Sequence, residues 1–238
     1  MAIERSDRGN GVSVITLDGK EEGNYLYTDD IQHLAATLTD CGHDQVRAII
    51  VTGKPRNFCS GRVGRKGLTK ASDIAEDLGV ILQVNTALNA LSAPVIAAVE
   101  GNAFGFAFGF TAQADYAVVS KDAVFALPEM SHGIPPLVVF SYLFRFVNYK
   151  KAFELALTSR PVPAEDAEKA GIVTEIVPAG TTLARAIEVA DQMAALDPKT
   201  LGLFRRFARR MADVHAPAIA EDAVALMSVV MADRAVSH

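Results

Sequence analysis

The spacing of apolar residues predicts short buried strands and helices in alternation over the first half of the chain. Runs of β-branched and apolar residues bounded by turn residues predict strands, and these span residues 12–17, 48–52, 95–99 and 116–120. The helices predicted between them span residues 28–38 and 73–91, and Thr28 is the expected N-cap of the first. This alternation indicates an α/β layered fold with right-handed crossovers.

The second half of the chain has a different pattern. One short strand is predicted at residues 173–177, and the rest shows helical spacing of apolar positions. The predicted helices span residues 142–158, 164–170, 182–196, 198–212 and 219–236. The C-terminal third is therefore expected to form a helical layer.

Composition narrows the class of protein. Half of the 238 residues are hydrophobic, and no apolar run reaches the roughly 18 residues that a membrane span needs. The net charge of −5 argues against nucleic acid or an anionic membrane as a partner. Cys41 and Cys59 have neither metal-site spacing nor a disulfide framework. We therefore expect a soluble cytoplasmic protein without a metal.

One stretch carries most of the candidate chemistry. Gly101, Gly105 and Gly109 follow the strand at residues 95–99 at a spacing of four. Glycine inside a helix costs about 1 kcal/mol relative to alanine, so either close backbone packing or a ligand at the backbone has to explain them. Glu129 then follows a proline among apolar residues. It is either exposed on a turn or held in a dry pocket with a raised pKa.

A basic loop follows the strand at residues 48–52. Residues 53–72 contain no acid, and after Gly53 the loop has glycines at positions 61, 64 and 67. The six basic residues are Lys54, Arg56, Arg62, Arg65, Lys66 and Lys70. The loop is either a solvated surface or a phosphate cradle, although it contains no P-loop motif.

A cluster of arginines lies on one side of the predicted helix 198–212. Its members are Arg205, Arg206, Arg209 and Arg210. A solvated helix face is the favoured interpretation, and a second contact for an anion is the alternative.

Four segments together resemble the crotonase superfamily, the enoyl-CoA hydratases and isomerases. GVSVITLDGKEEGNYL at residues 11–26 is similar to the family's opening strand and turn, with Asn24 at the family's asparagine. NFCSGRVGR at 57–65 and AVEGNAFGFAFGFTAQAD at 98–115 are similar to its two glycine-containing segments, and ALPEMSHGIPP at 126–136 is similar to its Pro-Glu turn. The segments occur in the family's order and approximate spacing, and the resemblance extends over nearly the whole chain.

The resemblance implies a crotonase-like ββα spiral core at residues 1–180. It also implies a helical C-terminal region at residues 181–238 for trimerisation or as a lid, and a homotrimer or dimer of trimers. The implied partner is an acyl-CoA thioester, in which coenzyme A is part of the substrate and no separate cofactor is needed.

The resemblance also implies site residues. The backbone N–H groups of Arg62 and Phe106 take the positions that hold the thioester oxygen while an enolate forms. Glu129 takes the position of the family's second glutamate. Implied contacts to substrate or CoA are Asn24, Arg62, Arg65, Lys66, Gly105 and Gly109, with phosphate expected near Arg62, Arg65 and Lys66.

Departures from the family pattern change the expected reaction. The first glutamate of the family's hydratases falls on Gly109, and the loop aspartate falls on Val63. Glu129 is left as one carboxylate, which suits double-bond isomerisation because a base that takes a proton can return it to another carbon. Loss of a side chain at Gly109 is expected to open room. Phe104, Phe106, Phe108 and Phe110 either line that room or belong to the core, and core is the favoured assignment for at least two of them. Activation of a hydratase by the Gly109→Glu replacement would support the single-carboxylate account.

Three functions therefore compete. Isomerisation or divergent hydration of an enoyl-CoA is favoured. A C–C bond hydrolase or decarboxylase is the second, with His132 as an extra acid or base, although a structural histidine is the commoner explanation. A non-catalytic acyl-CoA-binding protein is the third.

Overall fold

The structure is a computed structural model that describes residues 2–44, 46–54, 56–212, 221, 224–225, 227–229 and 231–232. The strands are β1 (Ile3–Asp7), β2 (Val12–Leu17), β3 (Leu26–Tyr27), β4 (Ala48–Gly53), β5 (Arg62–Val63), β6 (Val95–Val99), β7 (Asn102–Phe104), β8 (Tyr116–Ser120), β9 (Val124–Ala126), β10 (Val162–Pro163) and β11 (Glu175–Val177). The helices are α1 (Thr28–His43), α2 (Ala71–Ala90), α3 (Phe106–Gln113), α4 (Leu137–Leu143), α5 (Tyr149–Thr158), α6 (Ala164–Lys169), α7 (Thr182–Ala194) and α8 (Pro198–Ala212), and a 3₁₀ turn spans Pro128–His132.

A six-stranded sheet in the order β1–β2–β4–β6–β8–β11 forms the centre of the molecule. Every pair is parallel except β1–β2. Alternate residues of a strand face opposite sides of the sheet, so Ile49 and Val51 pack toward α1 and α2 while Ala48 and Ile50 pack toward α7. Burial of both faces explains the nearly continuous apolar strands.

Two small sheets lie beside the large one. Strand β3 pairs in parallel with β5, and β7 pairs with β9 and through it with β10. This arrangement is the crotonase fold that the resemblance implied. The domain boundary expected after residue 180 stays a prediction. Helix α7 follows that residue and packs against strands β4, β6 and β8.

Two helical predictions are corrected, and a third is left untested. The helix expected over residues 142–158 is two helices, because the Asn148 side chain accepts a hydrogen bond from the Lys151 N–H at 3.1 Å and so caps a new helix. Residues 101–104 are loop and strand, and α3 begins only at Phe106. The helix expected over 219–236 lies mostly outside the described residues.

The arginine cluster on α8 is not simply a solvated face. Arg205 is 4 % exposed, and its guanidinium pairs with Asp115 at 2.7 Å and donates to the Leu88 carbonyl at 3.0 Å. Arg209 also pairs with Asp115, at 3.0 Å. These two arginines hold α8 against the core, and Arg205 donates hydrogen bonds to carbonyls at the end of α2. Arg210, by contrast, is exposed.

Candidate active site

Two loops at the carboxyl ends of neighbouring strands form the floor of the site. The loop after β4 and the loop after β6 run side by side, with Phe58 N–H donating to Glu100 O (2.7 Å) and Phe104 N–H donating to Cys59 O (3.0 Å). At Gly101 the backbones approach so closely that a Cβ would lie 1.8 Å from Arg56 O. Only glycine fits there, so Gly101 provides the close packing that the glycine spacing had suggested.

The first loop presents the peptide between Gly61 and Arg62. Gly61, at φ 122°, accepts a hydrogen bond on its carbonyl from Leu26 N–H at 3.2 Å. The C=O and N–H of a trans peptide point in opposite directions. The Arg62 N–H is therefore directed away from Leu26, and both Gly61 and Arg62 line the cavity described below.

The second loop presents the start of α3. Gly105 precedes the helix at φ 52°, ψ −111°, a backbone conformation that favours glycine. Its own N–H donates to Ala126 O at 2.9 Å. Phe106 is the first residue of the helix, and an N–H in the first turn has no acceptor within the helix.

Glu129 lies in the 3₁₀ turn and faces Gly105. A Cβ on residue 105 would lie 2.8 Å from Glu129 Oε1, so the carboxylate rests against the glycine itself. Glu129 Oε2 is buried and has no hydrogen-bond partner among the described residues. Burial raises the pKa of Glu129, although its own backbone N–H and nearby His132 oppose the shift.

A cavity of about 290 Å³ joins these groups. Its lining is mainly apolar, and Glu129 is the only carboxylate among the described residues that line it. The lining residues are Ser60, Gly61, Arg62, Leu78, Ile81, Gly105, Phe106, Pro128, Glu129, His132, Ile134, Pro136, Val138, Val139, Met227 and Met231. The Gly61–Arg62 peptide, the first peptide of α3 and the largely desolvated carboxylate of Glu129 therefore border the same cavity.

The room expected at Gly109 is absent. Gly109 is buried and does not line the cavity, because the hydroxyl of Tyr142 occupies the space beside it. Phe108 and Phe110 are fully buried core residues, and of the four candidate phenylalanines Phe106 lines the cavity. Tyr142 was missed from the sequence because it arrives from α4, far along the chain.

The Arg62 side chain is also placed differently from the prediction. Its Nη1 pairs with Asp77 Oδ2 at 2.8 Å and donates to Thr28 Oγ1 at 3.2 Å, and both members of the ion pair are buried. Burial alone would raise the pKa of Asp77, but hydrogen bonds from Thr28 and Arg62 lower it below its usual value. This guanidinium holds the loop on α1 and α2 and is not available to a phosphate.

Asp77 was not recognised in the sequence, although a signal was present. It shares the apolar face of α2 with Ile74, Leu78 and Ile81, at helical spacing. A carboxylate on such a face requires a buried partner. Asp77 also accepts the Arg65 N–H at 3.3 Å, so it holds both the Arg62 side chain and the backbone at Arg65.

The remaining predicted contacts separate into two groups. Arg65 and Lys66 are exposed. Arg65 lies 3.6 Å from Asp29 and 3.9 Å from Glu76, so acidic side chains from neighbouring helices lie beside a loop that contains none of its own. Asn24 is buried outside the cavity. Its amide donates to three backbone carbonyls, including Phe58 O at 2.7 Å, so it holds the loop in place and is not among the residues that line the cavity.

His132 lies at the cavity lining and is exposed. Its Nδ1 is 2.9 Å from Pro128 O, which assigns the proton to Nδ1 and leaves Nε2 for any proton exchange. Among the described residues no cluster of His, Cys, Asp and Glu side chains could hold a metal ion, and no helix is both long and apolar enough to cross a membrane.

Fold and pocket define a crotonase-fold protein, and comparison with known proteins gives the family. Residues 7–233 match the family model for enoyl-CoA hydratase/isomerase, so the chain belongs to that family. It is 31 % identical over 206 residues to probable enoyl-CoA hydratase echA12 of Mycobacterium bovis, covering 82 % of this chain and 72 % of the relative. It is also 29 % identical over 198 residues to the 2,3-dehydroadipyl-CoA hydratase of Escherichia coli, covering 80 % and 74 %.

Solved structures show the same fold. A monofunctional enoyl-CoA isomerase of Mycobacterium smegmatis superposes with a TM-score of 0.76 at 28 % identity, covering 92 % of this chain and 97 % of that one. An enoyl-CoA hydratase of the same organism superposes with a TM-score of 0.85 at 23 % identity, covering 100 % and 95 %. Relatives of both reaction types therefore share this fold.

The buried carboxyl of Glu129 predicts a pH-dependent stability. Its pKa is raised in the folded state, so the stability that the protonated form contributes is present below the unfolded-state pKa and lost as pH rises through the folded-state pKa. Glu129→Gln cannot ionise. We expect it to exceed wild type in free energy of unfolding above the folded-state pKa and to converge with wild type at acid pH.

Urea denaturation at a series of pH values from about 4 to 8 measures this difference. Glu168→Gln, at an exposed position, is the control and should track wild type throughout. A difference between Glu129→Gln and wild type that is constant with pH would show that Glu129 is not held in a dry environment.

Proposed function

We propose that this protein is an enoyl-CoA isomerase in which Glu129 alone moves the proton. The observation that carries the proposal is that Glu129 is the only carboxylate among the described residues of the cavity, and that it lies beside the start of α3. The N–H groups of Arg62 and Phe106 bind the thioester oxygen. Membership in the enoyl-CoA hydratase/isomerase family supports an acyl-CoA thioester as the substrate.

The reaction shifts a double bond without adding or removing atoms. Glu129 takes a proton from the α-carbon of a 3-enoyl thioester, and the electron pair moves onto the thioester oxygen. The two N–H groups stabilise that oxygen as its charge develops, which is typically worth about 3 kcal/mol for each donor. The protonated Glu129 then returns the proton to the γ-carbon, and the double bond forms between the α- and β-carbons.

The dry environment of Glu129 suits this role. A desolvated carboxylate with one oxygen unpartnered is a stronger base than a solvated one, because burial raises its pKa toward the operating pH. The apolar walls of the cavity also exclude water that would compete for the enolate. An idle carboxylate in this position would be costly to keep, which argues against a protein that only binds acyl-CoA.

The phosphates of CoA are proposed to bind at Arg65 and Lys66. Both side chains are exposed on the loop that follows the first N–H donor. Arg62 is left out, because its guanidinium is buried against Asp77.

A C–C bond hydrolase or decarboxylase is the second candidate. It is favoured by the position of His132, which lines the cavity with Nε2 free for proton exchange. Such an enzyme would form the same enolate at Arg62 and Phe106.

We also propose a homotrimer or dimer of trimers. Leu203, Phe204 and Phe207 on α8 are each more than 60 % exposed, and clustered apolar side chains at a surface commonly mark an interface.

The first prediction concerns the reaction itself. A 3-enoyl-CoA offered in D₂O should become the 2-enoyl isomer much faster than a 2-enoyl-CoA is hydrated. Mass spectrometry of both products follows deuterium at the α- and γ-carbons. Glu129→Gln should lose at least about 100-fold in kcat while retaining the fold and CoA binding.

His132→Ala serves as the comparison variant, and it should retain most isomerisation. Fast hydration with negligible isomerisation by wild type, or near-normal turnover by Glu129→Gln, would refute the single-carboxylate mechanism.

The second prediction distinguishes the contribution of the Phe106 backbone N–H to turnover from that of its side chain. Phe106→Pro and Phe106→Ala both remove the ring, but proline alone removes the N–H. Proline is accepted at the first position of a helix, so α3 should form in both variants. We expect kcat to be about 100-fold lower in Phe106→Pro than in Phe106→Ala, which corresponds to loss of one oxyanion donor.

Circular dichroism and thermal unfolding establish that the two variants are equally folded. Equal turnover in two folded variants would exclude the Phe106 N–H as a donor.

The third prediction concerns the CoA phosphates. The Arg65→Ala/Lys66→Ala double variant should bind CoA about tenfold more weakly at low salt, and the difference should shrink as ionic strength rises. Lys169→Ala removes a solvent-exposed charge on α6 and should leave the affinity unchanged. Isothermal titration measures all three proteins, and equal affinity of the double variant and wild type would remove this loop from the binding site.

A further inference from the structure

The space beside Gly109 is filled by a side chain from another helix. A Cβ on residue 109 would lie 2.2 Å from the hydroxyl oxygen of Tyr142, 3.1 Å from its Cζ and 3.1 Å from Val139 Cγ2. Atoms in a packed interior do not approach to 2.2 Å without a bond, so no side chain fits at residue 109 while Tyr142 keeps its place. Glycine and tyrosine therefore form one packing unit across the contact between α3 and α4.

Tyr142 is firmly held in this position. Tyr142 is 3 % exposed, and its hydroxyl lies against Gly109 and close to Gln113 on α3. Gln113 is itself anchored, since its amide donates to Asn85 Oδ1 at 2.9 Å. Burial raises the pKa of Tyr142, and the charge of Glu129 adds to that effect, so the phenol stays neutral.

Tyr142 lies behind the wall of the cavity. Val139, one helical turn earlier on α4, lines the cavity, whereas Tyr142 does not. The phenol thus forms part of the wall between Gly109 and the cavity. Its hydroxyl points toward α3 and away from the cavity.

We infer that Tyr142 determines reaction specificity, because its hydroxyl and the adjoining ring carbon fill the space beside Gly109 that a second carboxylate on α3 would need to reach a water in the cavity. The inference rests on the proposed isomerase function. Hydration adds the hydroxyl group of one water to the β-carbon and a proton to the α-carbon of a 2-enoyl thioester. A second acid–base group ordinarily shares that work with the first. Here Tyr142 excludes such a group from residue 109, and Glu129 is left to shuttle a proton.

The expectation that Gly109→Glu alone activates a hydratase is corrected by this contact. The glutamate side chain would collide with Tyr142, and we expect loss of stability without gain of hydration. The Gly109→Glu/Tyr142→Ala double variant removes the collision. It should hydrate a 2-enoyl-CoA at least about tenfold faster than wild type or than either single variant.

The Tyr142→Phe variant distinguishes the space that the side chain fills from a chemical role of its hydroxyl. It retains the ring and removes only the hydroxyl, so isomerisation should stay within about threefold of wild type. A 100-fold loss in a folded Tyr142→Phe would assign the hydroxyl a part in proton transfer and overturn the inference.

A stability measurement tests the packing independently of activity. Gly109→Ala should lower the melting temperature in the wild-type background, and the loss should be smaller in the Tyr142→Phe background, where the colliding oxygen is absent. Gly79→Ala is the control, because residue 79 has open space for a Cβ within α2. Equal losses from Gly109→Ala in the two backgrounds would overturn the inference.

The activity experiment compares all variants with both substrates by mass spectrometry, because hydration adds the mass of one water. Wild type that hydrates faster than it isomerises would refute the proposed function, and this inference with it. Wild type that isomerises, together with a folded double variant that gains no hydration, would refute the inference alone. Gain of hydration by Gly109→Glu alone would also refute it.

Discussion

The whole site depends on the pairing of two loops at one edge of the sheet. Strands β4 and β6 are parallel neighbours, so their carboxyl ends deliver both loops to the same place. Backbone hydrogen bonds then join the loops, and the close approach at Gly101 leaves them little freedom. The peptide before Arg62 and the first peptide of α3 meet as a consequence, although they are far apart in sequence. Backbone groups fixed in this way are preorganised and need no rearrangement as charge develops.

Two buried carboxylates near these loops have opposite environments. Asp77 accepts hydrogen bonds from Thr28 and Arg62, which lower its pKa and stabilise its charged form. Glu129 has one oxygen without a partner among the described residues, and burial raises its pKa. The first arrangement fits a carboxylate that only holds structure, and the second fits one that exchanges a proton. The environment of each group, and not its residue type, assigns its role.

Sequence reasoning succeeded where the information is local. Apolar runs predicted β2, β4, β6 and β8, because strands buried on both faces have few polar positions. It missed β1, a charged edge strand in which Ile3 is the one buried residue. The family resemblance assigned Arg62, Gly105, Phe106, Glu129 and His132 to one site, and all five line the same cavity. Sequence reasoning did not anticipate where the Arg62 side chain, Asn24 and Gly109 lie, since their partners come from distant elements that no spacing rule brings together.

The contact between Gly109 and Tyr142 also constrains the order in which the sequence can change. A glutamate introduced at residue 109 meets a phenol that blocks it, and a smaller residue introduced at 142 leaves a void in a packed interior. Each single step therefore lowers stability, and only the pair restores a filled core. Residues 109 and 142 therefore have to change together for a carboxylate to be accommodated at residue 109.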